Sequence, residues 1–195
     1  MTTDYWVLKG DHSSAVIDAL PEGGPRLYLL TRGESLGERF PVGAKLQFSE
    51  DFAQLRKLYD FVTNTLRTLF VSEKVKQVLE HLGANNCEFI PVTILNHKGK
   101  VASSSHYLLN ILGSEDAIDM EKSVCVMDAM KPDQIFGIRQ LVLKREGLSP
   151  EALIFRAKSK MNEYFISQKL HEAFQREGIT GYRVFPADGW DGVNI

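Results

Sequence analysis

The residues closest to a metal-binding or catalytic pattern are His171-Glu172-Ala173-Phe174-Gln175. A helical His-Glu-x-x-His segment holds zinc because two imidazoles one turn apart face the same way. Here Gln175 stands where the second imidazole belongs, so the segment reads as a solvated helix face. Ser103, Ser104, Ser105 and His106 bring hydroxyls beside an imidazole, as nucleophilic catalysis requires. Strand neighbours point to opposite faces and no acid is spaced to orient the ring, so a polar loop entering a strand is expected. Cys87 with His81 or His97 has the parts of a thiol-base pair, but at the start of an apolar strand a small buried thiol is the ordinary outcome. There is no Gly-x-Gly-x-x-Gly and no Gly-x-x-x-x-Gly-Lys-Ser/Thr, which leaves a phosphate-cradling loop unsupported. These patterns assign no catalytic residue, no metal ligand and no cofactor.

Two other groups suit a protein partner. Glu115, Asp116, Asp119 and Glu121 are either a solvated surface, the usual fate of such acids, or a patch complementary to a basic partner. In the second case the carboxylates would speed association and sharpen specificity. Trp190, flanked by Asp188 and Asp191, is the other candidate, because tryptophan anchors dominate many interfaces. It stands out as an exposed anchor or folds back on its own domain.

Composition narrows the classes. With 44% apolar and 25% charged residues the chain has the balance of a soluble globular protein. A formal net charge of -2 supplies no global basic field, so nucleic acid is not an expected direct ligand. No run approaches the roughly 20 apolar residues that span a bilayer, so no membrane contact and a cytoplasmic location are expected. Two cysteines, Cys87 and Cys125, support neither a disulfide framework nor a zinc site. At 195 residues, a single domain over 1–195 is the expectation, with a strand-and-turn segment over 1–45 and a tail over 188–195.

The elements that would position these residues follow from periodicity. Turn formers break the first 45 or so residues around short strands at Tyr5 to Leu8 and Leu27 to Leu30. Glu50 and Asp51 open a helix whose apolar stripe is Phe52, Leu55, Leu58, Tyr59 and Val62. Ser72 caps a second helix that Gly83 ends, and Phe89 to Leu95 and Tyr107 to Leu112 form an antiparallel hairpin around the loop 96–104. Residues 113–135 are the least regular stretch, with their acids facing solvent. Ile138 to Leu143 and Leu153 to Ala157 are strands separated by a turn at Gly147 and Pro150. Ser167 then caps a helix over 168–177, followed by a strand at Arg183 to Phe185 and an extended tail from Ala187.

One pattern is written twice. FVSEKVKQVLEHLGANNCEFIPV at 70–92 aligns without a gap with FISQKLHEAFQREGITGYRVFPA at 165–187, an offset of 95 residues. Phe70, Ser72, Lys74, Gly83 and Pro91 recur as Phe165, Ser167, Lys169, Gly178 and Pro186. Such a period is far longer than that of solenoid arrays, which implies two similar helix-strand units in one fold. The expected class is α+β: a mainly antiparallel sheet carrying two similar Ser-capped helix-strand units and an additional helix.

In order, Tyr59-Asp60-Phe61, Val71-Ser72-Glu73-Lys74-Val75, Ile90-Pro91-Val92, Tyr107-Leu108-Leu109-Asn110, Ile154-Phe155-Arg156, Ile166-Ser167 and Gly178-Ile179-Thr180-Gly181 resemble the bacterial immunity-protein family numbered eleven among polymorphic-toxin immunities. The resemblance runs from about residue 50 to 187, with a looser match at Tyr5-Trp6. It implies a non-enzymatic protein that binds and neutralises a cognate toxin, in such families often a nuclease. It carries no functional residues, since its motifs are core and cap positions, and it places partner specificity in the unmatched parts. The residues themselves leave two alternatives open, a small enzyme whose site is assembled from sequence-distant groups and a structural or regulatory homodimer.

Overall fold

Helix-forming stretches begin where a serine accepts the first free amide, and both copies of the repeat do this. In a computed structural model, which describes residues 5–193 apart from Arg145, Gly147 and Pro150, the Ser72 hydroxyl accepts from the Val75 amide and the Ser167 hydroxyl from the Leu170 amide. The strands are β1 (Tyr5–Gly10), β2 (Val16–Ile17), β3 (Lys45–Gln47), β4 (Phe61–Asn64), β5 (Leu69–Ser72), β6 (Cys87–Leu95), β7 (Val101–Ile111), β8 (Val124–Met127), β9 (Ile135–Gln140), β10 (Ile154–Ala157), β11 (Lys160–Ser167) and β12 (Tyr182–Pro186). The helices are α1 (Glu73–His81) and α2 (Gln168–Arg176). Gly83 and Gly178 follow them at φ +84° and +62°, the left-handed stop that glycine adopts without a Cβ penalty.

The strands form a six-stranded sheet ordered β2-β4-β5-β7-β6-β3, a four-stranded sheet ordered β10-β11-β1-β12, and the separate hairpin β8-β9. In the larger sheet β5 and β6 flank β7, both antiparallel to it, while α1 connects them. In the smaller sheet β11 and β12 flank β1 in the same sense, with α2 between them. The hairpin β4-β5 has its counterpart in β10-β11. Even a side-chain contact is repeated: Tyr107 on β7 donates to Glu73 at the start of α1, and Trp6 on β1 donates to Gln168 at the start of α2, 2.6 Å away. The 95-residue repeat is therefore a structural equivalence, with one difference in order. The central strand follows the first unit in the chain and precedes the second.

Alternation along the strands builds three cores. Val71, Leu109, Ile154 and Ile166 face inward and pack with Val75 and Leu79 of α1 and Leu170 and Phe174 of α2. The opposite residues of the larger sheet, Phe70 and Leu108 among them, are covered by chain from Ala15 to Phe48. Those of the smaller sheet, Val7, Phe155 and Phe165, are covered by Ala117, Ile118, Ile135, Ile138, Leu141, Leu143 and Trp190. Each sheet thus has the helices on one face and an irregular cover on the other.

Two polar clusters lock these parts together. Arg156 on β10 is fully buried, and its guanidinium donates to the carbonyls of Ile111 (3.1 Å), Met161 (2.7 Å) and Leu30 (2.9 Å) while lying 4.6 Å from the Tyr164 ring centroid. Asp60 accepts from the Ser72 hydroxyl at 2.7 Å and from both the amide and hydroxyl of Thr180, so one carboxylate ties the α1 cap to the turn after α2.

The α+β class and the antiparallel predominance match expectation. The additional helix does not form. Glu50–Phe52 is a single 3-10 turn and Val62 lies in β4, paired with Phe70. The Ser49 hydroxyl, needed for a cap, donates to Asp18 instead, and Phe52, Leu55 and Leu58 are only partly buried. Strand pairing has overridden a helical spacing. Leu27–Thr31 is a 3-10 helix, not a strand, with only Leu30 buried. The stretch 113–135, expected to be irregular, contains β8, and β9 begins earlier than expected, at Ile135. The expected turn at Gly147 and Pro150, and Asn194 and Ile195 at the end of the tail, lie outside the described residues. No helix among the described residues is long and apolar enough to cross a membrane.

Gly181, at φ +83°, sits against the Phe61 carbonyl where a Cβ would collide, whereas Gly178 has open space around it. Gly178→Ala should therefore cost about 1 kcal/mol from backbone strain alone, and Gly181→Ala distinctly more, as read by denaturant unfolding. Burial pushes the Asp60 carboxyl up, but the hydrogen bonds from Ser72 and Thr180 outweigh it and hold the group below its usual value of 3.8. Its contribution is thus present above that value and lost as pH falls through the lowered one. Asp60→Asn should lower stability at neutral pH by about 1–3 kcal/mol and flatten the acid limb of the melting-temperature profile.

Candidate functional site

A hairpin turn sets one wall of a broad concavity. Between β4 and β5, the Asn64 side chain accepts from the Leu66 and Thr68 amides and donates to the Thr68 carbonyl at 2.9 Å, which closes the turn around buried Leu66. Arg67 is left at φ 55°, the one non-glycine residue with positive φ among those described. This turn forms one wall of a cleft of about 730 Å³; β1, β11 and the turn between β8 and β9 form the others.

Cations converge on it. Lys9, Arg67, Lys131 and Lys160 line the cleft, with Asp128 and Glu163 as the acids. Lys9 is paired with Glu163, and Asp128 is occupied in accepting from the Met130 and Lys131 amides. Among the described residues Lys160 donates only to the carbonyls of Ile135 (3.0 Å) and Phe136 (2.8 Å); burial, with Arg67 and Lys9 as like charges nearby, holds its ammonium below the usual lysine value against the pull of Glu163. The side chains of Arg67 and Lys131 have no ion pair or hydrogen-bond partner among the described residues. A chain of net charge -2 has thus gathered unneutralised positive charge in one concavity.

The hairpin β8-β9 leads away from this cleft. Cys125, Ile135 and Ile138 pack on the core, whereas Val124 and Val126 beside Cys125, and Phe136 beside Ile135, are exposed. Among the described residues, six of the eleven exposed large apolar side chains fall between Met120 and Phe136. Phe136 belongs to both features, exposed on the hairpin and lining the cleft.

The expected acidic residues lie at the other end of the hairpin. Backbone bonds from Asp119 to Val142, from Leu141 to Trp190 and from Gly189 to Leu141 set the segments carrying Asp119 and Asp191 on either side of Leu141 to Lys144. Asp116 is exposed but paired with Lys144, whose hydrogen bond holds its carboxyl low. Asp119 closes its own turn, accepting from the Lys122 ammonium (2.8 Å) and from the Glu121 and Lys122 amides. Glu121 and Asp191 are exposed; Glu115 is half-buried, its backbone bridged to Ala157. Trp190 is not an exposed anchor. It is 4% exposed, packed in the core over β1 and β11, with the Lys9 ammonium 4.7 Å from its ring centroid. The tail folds back because Leu141 offers its backbone to Trp190 and Gly189.

The remaining sequence candidates have structural work. His171 rests between the Trp6 and Tyr182 rings, with centroids 5.1 and 6.2 Å away. Ser103 and His106 do meet, at 2.8 Å, but within β7 and outside the cleft; the other ring nitrogen donates to the Tyr59 carbonyl at 3.3 Å, and burial pushes the imidazole below its usual value. Burial pushes the Cys87 thiol up to about 12, so it is not a nucleophile at neutral pH. A shallower groove of about 410 Å³, lined by Asp18, Glu22, Glu50, Asp51 and Lys45, lies on the cover of the larger sheet. No group of three potential metal ligands gathers among the described residues. Sequence reasoning missed the cationic cleft because its residues come from four separated segments, with no local spacing to reveal them.

The model of an immunity protein family, Imm11, matches residues 5–187. The chain belongs to this immunity protein family. The match spans β1 through β12, so it takes in both helix-strand units and Tyr5-Trp6 on the central strand of the smaller sheet. It stops before Asp188, leaving the Trp190 segment outside. Family membership gives this Imm11 protein a role in toxin immunity and a toxin as its binding partner. No curated protein matches the chain.

Since Trp190 fills a core, Trp190→Ala should lower stability by about 3 kcal/mol or more. A purely interfacial tryptophan would leave the unfolding curve unchanged.

Proposed function

We propose that this immunity protein acts in the cytoplasm of a bacterium as a single domain that binds its cognate toxin and covers the toxin's active surface without catalysis. The observation that carries this reading is the Imm11 match over residues 5–187, nearly the whole chain. The toxin is a nuclease in this reading. Such enzymes carry lysines and arginines for phosphate, and the exposed acids Asp116, Glu121 and Asp191 steer that positive surface into place. Glu115 and Asp119 hold the acidic strip in shape, and Trp190 supports it from beneath. An inhibitor of this kind buries roughly 800 Å² or more per partner.

Co-expression with the toxin encoded beside it should restore growth, and the two proteins should co-purify; neither rescue nor co-purification would sink the reading. Asp116→Lys with Glu121→Lys should slow association about tenfold at low salt and much less at high salt, as read by stopped-flow mixing. Rates insensitive to both substitutions would remove the acidic strip from the contact.

A further inference from the structure

We propose that the cationic cleft and the outer face of β8-β9 form one docking site for an acidic segment of the toxin that also carries a large apolar side chain. This rests on the immunity reading and adds to it the place and chemistry of the anchor.

Three independent features converge there. The first is charge: among the described residues Arg67 and Lys131 have no partner side chain and Lys160 is satisfied only by carbonyls, so carboxylates entering the cleft would gain charge-assisted hydrogen bonds in a partly desolvated site. The second is apolar exposure. Phe136, which lines the cleft, is 72% exposed; Met130, in the turn between β8 and β9, is 91% exposed, and Val126 faces outward on β8. A concentration of this kind marks an interaction surface. The third is strain: the β4-β5 turn holds Arg67 in the left-handed region, where glycine would fit better, at a position that lines the cleft. Backbone strain retained at one non-glycine position is characteristic of functional sites.

The acidic strip lies at the Val124–Gln140 end of the same hairpin and the cleft at the Met127–Ile135 end. A toxin docked along β8-β9 would meet opposite charges at the two ends. That polarity admits one orientation and disfavours the reverse.

The test measures binding of the toxin domain encoded beside this chain to variants whose melting curves confirm folding. Arg67→Glu combined with Lys131→Glu should weaken binding about a hundredfold or more, and Phe136→Asp about tenfold or more. Lys98→Glu, on the distant β6-β7 turn, should change it less than about twofold. Arg67→Gly should separate the two roles of that residue, raising the melting temperature by about 2 °C while weakening binding. A photo-crosslinker at position 136 should capture a toxin peptide of net negative charge.

Failure of the wild-type protein to bind overturns the immunity reading itself. Normal binding by the wild type and by both cleft variants overturns only the docking site. Capture of a net-positive peptide overturns the acidic partner. A wild-type dimer that Phe136→Asp dissociates without loss of toxin binding assigns the hairpin to a second copy and overturns the proposal.

Discussion

The buried Arg156 guanidinium holds the rest in register. It is a permanent cation inside the protein with no ion-pair partner among the described residues, so its desolvation is offset by three carbonyl hydrogen bonds and the face of Tyr164. Those carbonyls belong to the 3-10 turn covering the larger sheet, to the end of β7, and to β11. One side chain therefore joins a cover and both sheets. A lysine could not replace it, since only the planar fork reaches three acceptors in fixed directions. Nearby, Gly113 donates to the Gly33 carbonyl at 2.7 Å, and a Cβ on Gly33 would meet Gly113, so the backbones approach as closely as the guanidinium requires. Met161 and Tyr164, two of the residues around Arg156, also line the cleft. Part of the cleft's lining is thus positioned by the residues that hold Arg156.

How legible was this in the residues? Local chemistry was readable where one residue decides the outcome. Ser72 and Ser167 cap, Gly83 and Gly178 stop, and Phe70, Val71 and their counterparts 95 positions on occupy matching places. Reading failed where distant pairing decides. Phe52, Leu55 and Leu58 have helical spacing, but β4 is claimed by β5 and the Ser49 hydroxyl by Asp18. Trp190 looked like a tail residue because nothing in its neighbourhood reveals that Leu141 bonds to its carbonyl. Arg156 gave one signal, a charge within the apolar run Leu153 to Ala157. The cleft gave none: Lys9, Arg67, Lys131 and Lys160 are unremarkable lysines and an arginine until four segments meet.

The division of labour between scaffold and surface follows from the layers. The helices and the inner sheet faces are shared by both units and are confined to packing. What differs between the units is the cover, chain from Ala15 to Phe48 on one sheet and from Ala117 to Leu143 on the other. The second cover carries the acidic strip, the apolar hairpin and one wall of the cleft. Covers tolerate change in their outward residues as long as the few inward ones are kept.

The position of β1 gives the fold a closed-ring logic. Its partners β11 and β12 lie more than 150 residues downstream, and the Ala187 amide donates to the Tyr5 carbonyl at 3.0 Å, so the first and last strands meet. Moved to follow β12, β1 would stand to the second unit as β7 stands to the first, and both units would read hairpin, helix, strand, return strand. The chain is in this sense a circular permutation of a tandem pair. Its consequence is temporal. During synthesis β4 to β7 can assemble from contiguous chain, while β1 must wait unpaired until β11 emerges, which makes completion of the smaller sheet, and of the cleft that β1 and β11 line, the last event in folding.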